Sequence, residues 1–145
     1  MSYFYDYYNL TRQTNKLVAD IEKAINGEYS AIKCYAQLAK VAPNEEIRKQ
    51  ILEIRQDEIN HLQTFGRIYT DLTRKQPKPK VTEECPNQYK DGLEFALNDE
   101  QKTVDFYLDI ADEATNPSIK EAFRRAAADE QNHAVWFLYY FVKVK

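Results

Sequence analysis

Both histidines of this 145-residue chain follow a glutamate at the same spacing. Glu58 precedes His61 by three residues, and Glu130 precedes His133 by three residues. On a helix this spacing places the two side chains on one face, about a turn apart. A carboxylate and an imidazole in that position can chelate one metal ion. A solvated helix face is the ordinary interpretation of a single pair, but the repetition of the pair favours a metal site.

Two further glutamates lie where a bundle helix normally carries an apolar residue. Glu28 and Glu100 belong to runs of apolar residues spaced by four and three, the pattern of a helix face turned towards a core. The two Glu-x-x-His pairs interrupt similar runs in two other segments. The sequence therefore predicts six polar side chains inside an apolar core: Glu28, Glu58, His61, Glu100, Glu130 and His133.

Four buried carboxylates require a source of positive charge. An ionised carboxylate without a partner costs several kcal/mol when it is buried, even after the protein relaxes. None of the positions in the apolar runs is Lys or Arg, and raised pKa values would have to neutralise four neighbouring carboxyl groups at once. Two divalent cations would balance four carboxylates. Oxygen and nitrogen donors suit iron or manganese, and also zinc.

The four segments that carry these residues predict an all-α protein. The expected helices span about residues 10–41, 44–73, 87–114 and 117–143, and a proline-rich linker occupies residues 74–86. Only three glycines and five prolines interrupt the chain, which leaves long stretches without helix breakers. The length suits one domain over residues 1–145.

The two halves of the chain are similar to each other. Residues 21–65 align with residues 93–137 without a gap, and 14 of the 45 positions are identical. About three identities would be expected by chance from ordinary residue usage. Duplication is the better explanation, so we expect two antiparallel helix hairpins that pack as a four-helix bundle, with the linker crossing over between them.

This arrangement resembles the ferritin-like di-iron carboxylate superfamily. One glutamate from each of two helices plus Glu-x-x-His from each of the other two is the motif of these bundles. The chain looks like a small rubrerythrin-type (erythrin-like) protein without a rubredoxin module. The resemblance implies two iron ions per chain, with manganese or zinc as alternatives.

The resemblance also suggests roles for four residues near the six ligands. Asp57 and Asp129 precede the ligand glutamates and match the aspartates that orient an opposing histidine; a surface carboxylate is the alternative. Tyr35 and Tyr107 match tyrosines that flank the site in rubrerythrin-like proteins, with plain core packing as the alternative.

Three differences from known members narrow the choice of protein within this superfamily. Thr103 stands where rubrerythrins usually carry an additional glutamate. The chain has no CxxC pair and therefore no rubredoxin-type site, so we expect an external electron donor. Met1 is the only methionine, which argues against the haem of bacterioferritins.

The expected activity is oxidation of Fe²⁺ by dioxygen or peroxide, in peroxide detoxification or iron handling. Such a protein would be an oxidoreductase of ferroxidase or peroxidase type. Two alternatives remain open at this point: a dimanganese catalase-like enzyme, and a non-catalytic metal-binding or structural subunit of an assembly.

Composition and the chain ends bear on location and partners. The formal net charge of −3 gives no basic field for nucleic acid, and no apolar run is long enough to span a membrane. The first residues lack the features of a signal peptide, so we expect a cytoplasmic protein.

Aromatic clusters at residues 3–8 and 136–142 predict a homodimer or larger assembly, with an intramolecular cap by the N-terminal segment as the alternative. We expect Cys34 to be a packed small residue and Cys85 an exposed linker thiol without a partner.

Overall fold

A computed structural model describes residues 2–145, which form four α-helices and no strand. The helices are α1 (Ser2–Lys40), α2 (Glu45–Thr73), α3 (Tyr89–Glu113) and α4 (Pro117–Lys143). Helices α1 and α2 pack as one hairpin and α3 and α4 as the other, and this confirms the predicted all-α four-helix bundle with a crossover. None of the four helices is long and apolar enough to cross a membrane.

The helix boundaries differ from the prediction mainly at α1. This helix begins at Ser2 and not near residue 10, because no helix breaker separates the aromatic N-terminal residues from the amphipathic part. Helix α3 begins at Tyr89, two residues later than predicted, so the linker covers residues 74–88. The remaining boundaries agree within one residue.

Capping explains where the second helix of each hairpin begins. The Asn44 side chain accepts a hydrogen bond from the Ile47 backbone N–H at 2.9 Å. Asn116, the duplicated position, accepts from two backbone N–H groups of the first turn of α4, and Pro117 follows it at the start of that helix. These side chains satisfy donors that the first turn of a helix leaves without partners.

The core consists of two apolar clusters. One is built around Phe65, which stacks on Phe123 with ring centroids 4.4 Å apart. The other includes Ile51, Leu93 and Phe137. On each helix the predicted polar core positions lie between residues of the first cluster and residues of the second. The fold therefore encloses the six polar side chains with apolar layers on both sides.

The linker crosses over in contact with the bundle and lies along one face of α1. Its residues contact α1 side chains spaced by four, four and three, so they follow a single helix face. The contacts are Lys80 N to Asn26 Oδ1 (3.0 Å), Thr82 N to Ser30 Oγ (3.0 Å), the Cys85–Cys34 disulfide, and Gln37 Nε2 to Asn87 Oδ1 (2.6 Å).

The disulfide corrects the prediction for the two cysteines. Cys85 is not an unpartnered thiol, because it is bonded to Cys34. The two residues are separated by 51 positions, and nothing in the local sequence indicates that the linker returns to α1. Tertiary structure alone brings the two sulfur atoms together.

The N-terminal aromatic residues are exposed. Tyr3, Phe4, Tyr5, Tyr7 and Tyr8 have between 63% and 91% of their surface accessible, as part of the extended α1 helix. The alternative of an intramolecular cap is therefore wrong, since these side chains do not pack on the bundle. On α4, Val135, Leu138, Tyr139 and Val142 are exposed as well.

Breaking the disulfide should lower the free energy of unfolding by about 2–4 kcal/mol, because the bond closes a long loop that contains α2. We expect this loss both for the reduced wild type and for the Cys34→Ala/Cys85→Ala variant, measured by urea denaturation. The variant should not respond to reductant. Equal stability of the oxidised and reduced wild type would contradict the expectation.

Candidate metal centre

All four helices contribute to a cluster of buried acidic and imidazole groups. Helix α1 contributes Glu28 and α3 contributes Glu100, while α2 and α4 each contribute one Glu-x-x-His pair. Each of the six residues is at most 7% exposed. The structure thus brings together all six polar residues that the spacing by three and four had predicted to face the core.

The six residues form two overlapping groups of four. In each group the donor atoms lie within 4.8 Å of one another: Glu28, Glu58, His61 and Glu130 in the first, and Glu58, Glu100, Glu130 and His133 in the second. Glu58 and Glu130 belong to both groups, so two ions would share them. Glu28 and Glu100 each belong to one group only, and we call them the end glutamates.

One donor atom of each residue has no hydrogen-bond partner. These atoms are Glu28 Oε2, Glu58 Oε1, His61 Nδ1, Glu100 Oε2, Glu130 Oε1 and His133 Nδ1. A buried polar atom left without a partner costs about 1–3 kcal/mol. Within residues 2–145 only the Tyr89 hydroxyl shares this condition. The two Nδ1 atoms lie 3.2–3.6 Å from these glutamate oxygens without forming hydrogen bonds. Six such potential ligand atoms converging on one region fit a pair of metal ions.

The opposite nitrogen of each histidine is held by an aspartate from the other hairpin. His61 Nε2 lies 2.8 Å from Asp129 Oδ2, and His133 Nε2 lies 2.8 Å from Asp57 Oδ2. An Nε2–H that donates to the aspartate leaves the Nδ1 lone pair free for a metal ion. The two aspartates therefore orient the histidines, as the family resemblance implies, and are not free surface carboxylates.

The two tyrosines hold the end glutamates in a similar crossed pattern. The Tyr35 hydroxyl of α1 donates to Glu100 Oε1 of α3, and the Tyr107 hydroxyl of α3 donates to Glu28 Oε1 of α1. Each bond leaves Oε2 of the same glutamate unpartnered. The tyrosines are thus more than packing residues, because they orient the carboxylates.

The two Asp–His contacts differ in their surroundings. Asp129 also accepts a hydrogen bond from Arg125 Nε at 3.0 Å, and its side chain is only 19% exposed. The Asp57 side chain is 42% exposed, and the position equivalent to Arg125 is Glu53. The two halves therefore share the predicted ligands and the aspartates that orient the histidines. Only the second half has an arginine beside its aspartate.

The pKa values of the four buried glutamates do not all shift in the same direction. Burial, together with the Glu58 charge, raises the pKa of Glu28 to about 8, and burial also raises the pKa values of Glu100 and Glu130. Burial opposes ionisation of Glu58 as well, but the adjacent histidines lower its pKa to about 2.

The histidines are shifted towards the protonated form. Burial lowers the pKa of His61, yet the carboxylates of Glu28 and Glu58 outweigh it and raise the value to about 11. His133 is raised to about 11 in the same way by Glu100 and Glu58. Without metal, the cluster therefore retains protons at neutral pH that an incoming cation must displace.

A cavity of about 210 Å³ between α1 and α3 adjoins this centre and was not predicted. Its lining includes Tyr35, Tyr107, Cys34, Asp99 and Thr103. Linker residues Thr82 and Glu83 also line the cavity, so the linker forms part of its wall. Thr103 donates its hydroxyl to the Asp99 carbonyl at 2.8 Å and offers no carboxylate to the centre.

Metal binding should release protons, and the apparent affinity should fall as the pH falls. Glu28 is mostly protonated below its pKa of about 8, and His61 and His133 are protonated below about 11. Lower pH therefore strengthens the competition between protons and the cation. Titration calorimetry with Zn²⁺, at matched pH in buffers of different ionisation enthalpy, measures the number of protons released. An affinity that stays constant between about pH 6 and 8 would contradict this expectation.

A family model and a known protein match this chain over most of its length. The rubrerythrin family model matches residues 21–90 and 91–145. The uncharacterized protein YhjR of Bacillus subtilis (strain 168) is 53% identical over 140 residues, which cover 97% of each chain.

Solved structures with lower sequence identity share the fold. A hypothetical protein from Pyrococcus furiosus matches with a TM-score of 0.77 and 19% identity, over 87% of this chain and 88% of that one. A ferritin-like, diiron-carboxylate protein from Bacillus anthracis matches with a TM-score of 0.74 and 21% identity, over 89% and 97%. A bacterioferritin from Rhodobacter capsulatus matches with a TM-score of 0.72 and 18% identity, over 88% and 84%. Since the family model matches most of the chain and the structural neighbours share its bundle, this chain belongs to the rubrerythrin family.

Proposed function

We propose that this protein is a di-iron oxidoreductase that oxidises Fe²⁺ with dioxygen or peroxide, in peroxide detoxification or iron handling. The observation that supports it best is the set of six unsatisfied donor atoms arranged in two groups that share Glu58 and Glu130. Four carboxylates and two imidazoles are donors that iron accepts, and four negative charges balance two divalent ions. When bound, a pair of iron ions would supply one-electron redox chemistry at each ion.

The chain's own residues control water at the centre. Phe65 lies against His61 on one side, with ring centroids 6.1 Å apart, and Phe137 packs against Tyr35 on the other at 5.1 Å. These rings belong to the two apolar clusters that enclose the ligands. A low-dielectric wall limits solvent access and strengthens the electrostatic effect of each ligand on a bound ion.

The tyrosines hold protons next to the end glutamates. Burial and the Glu100 charge raise the pKa of Tyr35 well above 10, and burial and the Glu28 charge do the same for Tyr107. Both hydroxyls therefore remain neutral donors at physiological pH. They fix the orientation of Glu100 and Glu28 while Oε2 of each stays available to a cation.

The proposed activity predicts that anaerobically loaded Fe²⁺ is oxidised by peroxide, one peroxide for every two ions. Optical spectroscopy should detect the ferric product. Glu58→Ala/Glu130→Ala should reduce the rate at least about 100-fold, because this variant removes the donors that both ions would share. A matched control is Glu53→Ala/Glu121→Ala, which removes exposed glutamates from the same helices and should leave the rate unchanged.

The same assay distinguishes the other candidates. A dimanganese catalase-like enzyme would evolve dioxygen from peroxide when loaded with Mn²⁺ and would show no comparable turnover with iron. A storage or structural protein would stop after one round of oxidation even with an added reductant. Full two-ion binding and activity in the Glu58→Ala/Glu130→Ala variant would overturn the assignment of the centre.

We also propose that the exposed N-terminal aromatic face pairs with that of a second copy. An aromatic side chain buries about 150–250 Å² when covered. Tyr3, Phe4, Tyr7 and Tyr8 share one side of α1, and their exposed fractions correspond to roughly 630 Å² per protomer, most of the about 800 Å² that a stable interface contributes on each side.

Analytical ultracentrifugation tests this pairing. The wild type should sediment as a dimer, and Phe4→Ser/Tyr8→Ser should shift it to a monomer because these residues lie one turn apart on the exposed face. Leu52→Ser, which changes an exposed apolar residue on α2 outside both aromatic clusters, is the control and should remain dimeric. A monomeric wild type at micromolar concentration would contradict the proposal.

A further inference from the structure

The Cys34–Cys85 disulfide lies between the cavity that adjoins the metal centre and a groove on the surface. Cys34 lines the cavity of about 210 Å³ together with Tyr35 and Tyr107. It also lines a separate surface groove of about 250 Å³, together with the half-buried Cys85. The disulfide therefore connects a solvent-accessible groove with the residues that hold the end glutamates of the centre.

We propose that Cys34 and Cys85 are a redox-active pair that supplies two electrons to the metal centre. This inference rests on the proposed function, because it requires ferric ions at the centre. Cys34 and Cys85 would act as an internal electron donor, and an external donor would serve only to reduce their disulfide.

Oxidation of the two thiols to a disulfide would supply the two electrons. In the reduced chain the S–H bonds of Cys34 and Cys85 break, one S–S bond forms, and two protons leave through the groove. The two electrons reduce two ferric ions to two ferrous ions. An external dithiol then restores the pair by thiol–disulfide exchange and is itself oxidised to a disulfide.

The position of Cys34 supports transfer to the centre. Cys34 follows Glu28 by six residues on α1, a rise of about 9 Å along the helix. Its chain neighbour Tyr35 donates a hydrogen bond to Glu100, so covalent bonds and one hydrogen bond lead from the sulfur to a ligand. A two-electron dithiol matches a pair of ions that each accept one electron.

The position of Cys85 supports exchange with an external dithiol. Cys34 is 4% exposed, whereas Cys85 is half-buried and faces the groove. An attacking thiolate would therefore reach Cys85. Lys33, Glu83 and Glu84 also line this groove, so charges of both signs lie near the point of exchange. In reducing compartments, disulfides are generally transient and either catalytic or redox-sensing.

The test follows thiols and iron in the same sample. Reduced protein, freed of reductant under anaerobic conditions, is loaded with two Fe²⁺ per chain and given one equivalent of peroxide. Free thiols are then counted over time by alkylation and mass spectrometry, and Fe²⁺ is measured with a ferrous chelator. We expect the ferric signal to appear and then decay, while two thiols per chain are lost and two Fe²⁺ return.

Three controls separate this role from a purely structural disulfide. Wild type with the disulfide already formed should keep its iron ferric after peroxide, and so should Cys34→Ala/Cys85→Ala. The first of these controls remains valid even if the variant folds poorly. Reduced protein loaded with Zn²⁺ should keep its thiols, because zinc accepts no electrons.

Each unfavourable result has a distinct meaning. Persistent ferric iron together with intact thiols would overturn the redox pair and leave the proposed function standing. Thiol loss at the same rate with Zn²⁺ would overturn it too, since peroxide would then be attacking the sulfurs directly. If no ferric iron forms in any sample, the proposed function and this inference both fail.

Discussion

The burial of four carboxylates in an apolar core is the constraint on which the rest of the structure depends. An unpaired ionised carboxylate costs several kcal/mol in such a place, and the whole fold of a typical domain is stable by only about 5–15 kcal/mol. Glu28, Glu58, Glu100 and Glu130 can therefore coexist only if cations or shared protons offset their charge. The apolar clusters on both sides keep water away and make that requirement strict.

Reciprocal contacts between the hairpins meet this constraint. Each histidine is oriented by an aspartate of the opposite hairpin, and each end glutamate receives a tyrosine hydroxyl from the opposite hairpin. Neither hairpin alone contains a complete group of four donors. The centre therefore forms only when the two duplicated halves dock, and metal binding and docking of the hairpins stabilise each other.

The linker adds a second level of organisation. It follows one face of α1, is bonded there through Cys34–Cys85, and closes the cavity next to Tyr35 and Tyr107. The crossover alone could explain the length of the linker. The linker nevertheless also forms part of the wall of the cavity near the centre. Its disulfide stands at the boundary between solvent and the residues that orient the ligands.

Spacings of three and four along the chain were enough to predict the helices, the duplication and the six polar core positions, because they define which residues share a helix face. Glu28 and Glu58 interrupt that apolar pattern, so the sequence is sufficient to identify them as unusual core positions. Local periodicity carries no information about contacts between distant segments. Packing of the hairpins and the linker places Glu58 and Glu130 in both groups of potential donors, brings Tyr35 to Glu100 and returns the linker to α1. These features depend on how the hairpins and the linker pack in three dimensions.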